Sequence, residues 1–159
     1  MKKIINKRGD GYVFPCVIIV VVAMILSVVI FFANTVSLVR MTEENSKIVL
    51  DSYIMKNSII IYDSIKQGND YTEVIDEDVY IEDLCKFCTL DKNGSLLYNY
   101  NQDGSLKYMM TAPIVSFRNE NTLKIQLNYT IYIPVQFDGE ILWYARIPVT
   151  VISSFNEKF

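Results

Sequence analysis

The sequence predicts an α+β fold: a long N-terminal helix, part transmembrane and part amphipathic and extracellular, packed on a small antiparallel β-sheet domain. Three observations predict it. An uncharged apolar run fills residues 13–33, and neither glycine nor proline interrupts residues 34–67. From residue 79 onward the apolar residues recur with a period of two, most cleanly over residues 123–135. A chain of 159 residues has room for one small domain outside the apolar run. The expected division is a basic head at 1–12, a transmembrane helix at 13–33, an amphipathic helix at 34–67 and an outer sheet domain at 68–159.

The run VFPCVIIVVVAMILSVVIFFA has Ser27 as its one plainly polar residue. As a helix it rises about 31 Å, which matches a hydrocarbon core of roughly 30 Å. Each Val, Ile, Leu or Phe near its centre favours insertion by about 0.3–0.6 kcal/mol. Pro15, near the start, is tolerated in a first helical turn because the N–H it lacks has no partner there. A cleaved secretory signal has a shorter apolar core and small residues before the cut, whereas Phe31 occupies the outer key position before a cut after Ala33. The run is therefore read as a retained span. Lys2, Lys3, Lys7 and Arg8 precede it, while Glu43 and Glu44 offset Arg40 and Lys47 beyond it. That asymmetry puts the N-terminus in the cytoplasm and the larger part outside.

Over residues 34–67, Met41, Ile48, Met55 and Tyr62 recur at a heptad step, with Leu38, Ile59 and Ile65 near the same stripe. This stripe is the expected cover for the sheet's apolar face. Gly68 supplies a stop signal. An unbroken helix from about residue 12 is a rod on the order of 80 Å long, whose inner end can also pack on neighbouring copies. The acidic segment from Gly68 to Asp83 reads as a link and hinge.

Leu123, Ile125, Leu127, Tyr129, Ile131, Ile133 and Val135 alternate with polar residues as a half-buried strand. Asp138-Gly139 signals a hairpin turn. Ile141, Trp143, Ala145, Ile147, Val149 and Val151 continue on one face of the returning strand. Pro134 and Pro148 mark exposed edges or strand ends. A second hairpin is expected from Leu96–Tyr100 and 106–110 around Asp103-Gly104. Four or five strands in all are expected, by the usual size of such sheets.

Candidate chemistry is sparse. The chain has three cysteines and no histidine, so the commonest general base and transition-metal ligand is missing. Cys85 and Cys88 form a C-x-x-C that admits a local disulfide in an oxidising exterior, two reduced half-buried thiols, or a redox pair. A zinc site would need two further Cys or His ligands. Asp76, Glu77 and Asp78 are weak calcium candidates that also read as a solvated acidic loop. No nucleophile motif with its base and no phosphate-cradling glycine loop is present in the sequence. The eleven tyrosines suit strands and interfaces better than acid catalysis. A non-enzymatic role without a cofactor is expected, and the lack of a basic stripe beyond the head argues against nucleic acid as a partner.

Lys7-Arg8-Gly9-Asp10-Gly11-Tyr12, running directly into the apolar span, resembles the TadE-like minor pilins and pseudopilins of Tad (Flp-type) pilus systems and related Gram-positive membrane proteins. Ile133-Pro134-Val135 and Ile147-Pro148-Val149 give a looser likeness. The resemblance implies a membrane-anchored assembly subunit that works with other pilin-like subunits in the bilayer and meets a prepilin peptidase. It implies leader cleavage between Gly11 and Tyr12, or alternatively between Gly9 and Asp10. The glutamate that such families carry at the fifth position after the cleavage glycine is replaced by Cys16 or, counted from Gly9, by Phe14. That departure fits a minor, tip-located or uncleaved component. The alternative is a single-pass membrane protein whose outer domain binds a partner, in conjugation, sporulation or division machinery.

Overall fold

A computed structural model describes residues 10–67, 76–120, 122–137 and 139–155. The architecture is α+β, one long helix and a shorter one with an antiparallel sheet. The elements are α1 (Asp10–Gln67), α2 (Glu77–Cys88), β1 (Asp91–Asn93), β2 (Leu96–Tyr100), β3 (Leu106–Thr111), β4 (Ile114–Glu120), β5 (Thr122–Phe137) and β6 (Glu140–Phe155). The chain divides into two compact units, Met1–Leu38 and Val39–Phe159.

In the first unit α1 is already helical at Asp10, the first described residue. Pro15 thus stands in its second turn, where it leaves the Gly11 carbonyl without the usual N–H. Ser27 Oγ donates to the Ala23 carbonyl at 3.1 Å, so the run's polar side chain is satisfied within its own helix. The apolar side chains are exposed all round, with Val28 at 68% and Phe32 at 67%. α1 is long and apolar enough here to cross a membrane, as a single-pass membrane protein requires.

In the second unit α1 buries Thr42, Ser46, Val49, Leu50, Tyr53, Ile54 and Ile61. These fall on one helical face at steps of three, four and seven. The stripe expected to cover the sheet lies elsewhere, because Met41, Ile48, Met55 and Ile59 are all exposed. The buried face begins with two hydroxyl residues, so hydropathy alone selects the wrong side of the helix.

α2 takes up the end of the segment expected to be an acidic link between Gly68 and Asp83, whose residues 68–75 lie outside the described residues. Asp76 is its N-cap, with Oδ1 accepting the Asp78 N–H at 3.0 Å, and Glu77 and Asp78 lie in its positive first turn. Tyr80, Ile81 and Leu84 form its buried face. It ends at Thr89, whose φ of 52° is left-handed; the Cys85 carbonyl accepts the Leu90 N–H at 2.9 Å. Asn99 Nδ2 donates to the Cys88 and Thr89 carbonyls at 3.0 and 3.2 Å, completing the cap from β2.

Among the described residues the sheet has six strands, where about four or five are expected, with β1, β2, β3, β5 and β4 in order and β6 paired to β5. β5 organises it. One edge of β5 pairs with β6 over nearly its whole length, and the other is shared end to end by β4 and β3. Ala112 and Pro113 separate those two strands, and the Thr130 N–H in the gap finds Thr111 Oγ1 at 3.0 Å. The Thr130 amide therefore points away from β6. Its partner Pro148 directs its hydrogen-free nitrogen to the outer edge of β6, where no described strand needs it.

Ile125, Leu127, Ile131, Val149 and Val151, alternate residues of β5 and β6, are buried under the helices. Each such side chain contributes about 1.5–3 kcal/mol when fully buried. The opposite face is polar, with the Asn128 carboxamide oxygen accepting from Gln126 and Thr150. Gly104 and Gly139 take positive φ of 81° and 80° in the two expected turns.

Candidate functional site

The residues implied for leader cleavage meet the structure at its first described turn. Gly9 lies outside the described residues, and Asp10, Gly11 and Tyr12 open α1.

Cys85 and Cys88 lie in the last turn of α2, a place sequence reasoning missed by reading strands from residue 79. The overlooked signal was Asp76 followed by acidic residues and then Tyr80, Ile81 and Leu84 at helical spacing. Both cysteines are half-buried and unbridged. Burial pushes both thiols upward, Cys88 to about 11 with a further contribution from Cys85, while Lys92 partly offsets the rise at Cys85. Asn45 of α1 hydrogen-bonds Cys88 and lowers it only in part. A helix C-terminus disfavours a thiolate, the reverse of the setting that activates redox cysteines.

Asp76 caps α2, Glu77 and Asp78 lie in its first turn, and Asp78 also pairs with Lys92 at 3.5 Å. Among the described residues no three Cys, Asp or Glu side chains gather in a way that could hold a metal ion.

A cluster not evident from sequence sits between the helices and the sheet. Thr42 and Ser46, one turn apart on α1, face Tyr80 of α2, Tyr108 of β3 and Tyr129 of β5, all buried. The Tyr80 hydroxyl donates to the Ser46 carbonyl at 3.2 Å, and Thr42 hydrogen-bonds Tyr108. Ser46 Oγ and the Tyr129 hydroxyl lie against each other, yet neither makes a hydrogen bond of good geometry. Burial raises Tyr80 strongly and pushes Tyr108 and Tyr129 to about 12. The phenols are neutral at physiological pH, so the cluster supplies packing and hydrogen bonds rather than a base.

Tyr53 adds a second tie between the helices. Its hydroxyl donates to the Asp76 carbonyl at 3.1 Å, and its ring meets Tyr80 edge to face with centroids 6.1 Å apart. Lys56 pairs with Asp83 at 2.9 Å across the same junction. Beside that pair, a shallow groove of about 380 Å³ is floored by Ile48, Val49 and Phe87. Lys56 and Asp83 themselves line it, with Ser52 and Lys86.

Neither a protein-family model, nor a curated protein, nor a solved structure matches this chain.

Proposed function

We propose that the chain is a structural or assembly subunit, minor-pilin- or pseudopilin-like, of a Tad-like type IV pilus or related envelope machine in a bacterial cytoplasmic membrane. The observation that carries this reading is the double use of α1. One helix supplies the exposed apolar run and then the buried spine of the β domain. An all-round apolar surface is stable in lipid, and it can leave lipid only when other subunits bury the same surface. Val, Ile, Phe and Ala in the run give shape for such packing, and Ser27 makes no demand on a partner. The basic head keeps the N-terminus inside, and the β domain is presented outside.

Determination of the mature N-terminus tests the proposal. A chain beginning at Tyr12 or Asp10 supports it. An intact N-terminus in membrane-retained protein favours the second reading, a single-pass anchor whose outer domain binds a protein partner. The groove beside Ile48 and Phe87 supports that alternative, because both side chains are exposed beside a fixed ion pair.

A further inference from the structure

The β5–β6 hairpin carries an exposed apolar tip that the core does not use. Ile141, Leu142, Trp143 and Tyr144 are 40%, 64%, 59% and 39% exposed. The register shift at Val135/Gln136 pairs Val135 with Trp143 and Gln136 with Ile141, leaving Leu142 as the extra residue of a bulge. Trp143 and Tyr144 project to opposite faces, as successive strand residues do. Both faces of the ribbon are therefore apolar.

Contacts within Val39–Phe159 fix where this tip lies in that unit. Ser153 Oγ donates to Asp51, Tyr129 (paired with Val149) meets Ser46, and Tyr108 (next to the Met109–Tyr132 pair) meets Thr42. Moving along α1 from Asp51 toward Val39 thus means moving along β6 from Ser153 toward Glu140. Beyond the level of Thr42 and Ala145, β6 continues to Glu140, an extension of about 17 Å at ~3.3 Å per residue. The hairpin projects at the end of the unit where the chain enters from the apolar run. Val39 follows Ala33 by less than two helical turns, a covalent reach of about 9 Å.

We propose that this hairpin tip is a membrane-surface contact that seats Trp143 and Tyr144 among the headgroups of the bilayer crossed by residues 13–33. The proposal rests on the reading of that run as a span. Lipid surrounds a ribbon and covers two apolar faces, whereas a docked protein ordinarily covers one. Trp and Tyr settle at the headgroup level, with ring in the apolar zone and polar atom in water. Glu140 at the turn and the outer edge of β6, which no described strand pairs, are costly in hydrocarbon, so the ribbon is expected to lie against the headgroups rather than enter the core. The contact would act as a second foothold that fixes the tilt of the outer domain.

Trp143 is the chain's sole tryptophan and reports its own surroundings. The full chain is reconstituted in phosphatidylcholine vesicles, and Trp143 emission is quenched by aqueous iodide or by lipids bearing a nitroxide near the headgroup. Strong quenching by the lipid and several-fold weaker quenching by iodide than for free tryptophan are expected. Leu142→Asp is expected to reverse that order while the circular dichroism stays unchanged. Ready quenching by iodide in the parent chain overturns the proposal. So does protection from both quenchers, which means that protein covers the tip. Alkaline extraction separates the two readings. A chain washed off the vesicles defeats the span itself, whereas a retained chain with Trp143 in water defeats only the foothold.

Discussion

The Thr111 hydroxyl accepts the Thr130 N–H at 3.0 Å, filling the break where β3 gives way to β4 along one edge of β5. Thr111→Val keeps the shape and removes the acceptor, leaving a part-buried amide unpaired. The expected cost is about 1–2 kcal/mol. Thr111→Ser should recover most of it. Denaturant unfolding of the full chain in detergent, followed by circular dichroism, measures both. Equal stability of the valine variant and the parent would show that water serves this amide.

The two stripes of α1 differ in what they hold. Leu50, 1% exposed, is expected to cost about 2–5 kcal/mol when changed to alanine. Met55, 75% exposed, should change stability by less than about 0.5 kcal/mol when made alanine. The same melts check both. A large loss at Met55 would restore the heptad stripe as the covering face.

The tyrosines of the buried cluster should respond unequally. Tyr129→Phe removes a hydroxyl without a good partner and is expected to be neutral or slightly stabilising. Tyr80→Phe loses the bond to the Ser46 carbonyl and should cost about 1 kcal/mol. A comparison of unfolding midpoints at constant denaturant slope is the measurement. Equal losses would mean that Tyr129 is hydrogen-bonded in solution.

Alkaline pH should loosen the domain. In the folded chain Cys88 is raised from 9.0 to about 11, and Tyr108 and Tyr129 from 10.0 to about 12, chiefly by burial. Raised folded values favour the protonated, neutral forms. The stability they contribute is complete below the unfolded values and is lost as pH climbs through the folded ones. Stability is therefore expected to hold to about pH 9 and to decline between about 9 and 12. Tyr108→Phe combined with Tyr129→Phe should flatten the upper part of that decline. Alkylation of Cys88 should stay slow at pH 8 in the folded chain and become fast on unfolding.

Asp76 is expected to act as a cap. Asp76→Ala should cost about 1 kcal/mol and Asp76→Ser much less. Added calcium should leave the parent's melting temperature unchanged. A rise that saturates with calcium would return Asp76, Glu77 and Asp78 to the role of ligands.

The large elements were legible because their signals are long. A run without charge and two alternating strands joined by Asp138-Gly139 leave few choices. What escaped the sequence was short or polar. α2 was hidden because its capping and first-turn acids resemble a solvated linker. β1 and β4 carry little apolar signal of their own, and β4 is held by its register on β5. The buried face of α1 was misassigned because Thr42 and Ser46 are made compatible with burial by tyrosines that arrive from three distant elements. The cluster around Ser46 could not be read from spacing, since only the packed fold brings its members together.

The bond between Asp51 and Ser153 joins residues 102 positions apart. The helix face that Ser153 helps to close belongs to the first part of the domain to be synthesised, and its partner strand to the last. That face must therefore wait for nearly the whole domain before its last covering strand is made, although Tyr53 meets α2 earlier. During that interval β5 and β6 can zip locally, but α1 has no completed surface to settle on. A ribosome stalled before residue 150 would leave that apolar face of the helix open, a substrate for chaperones.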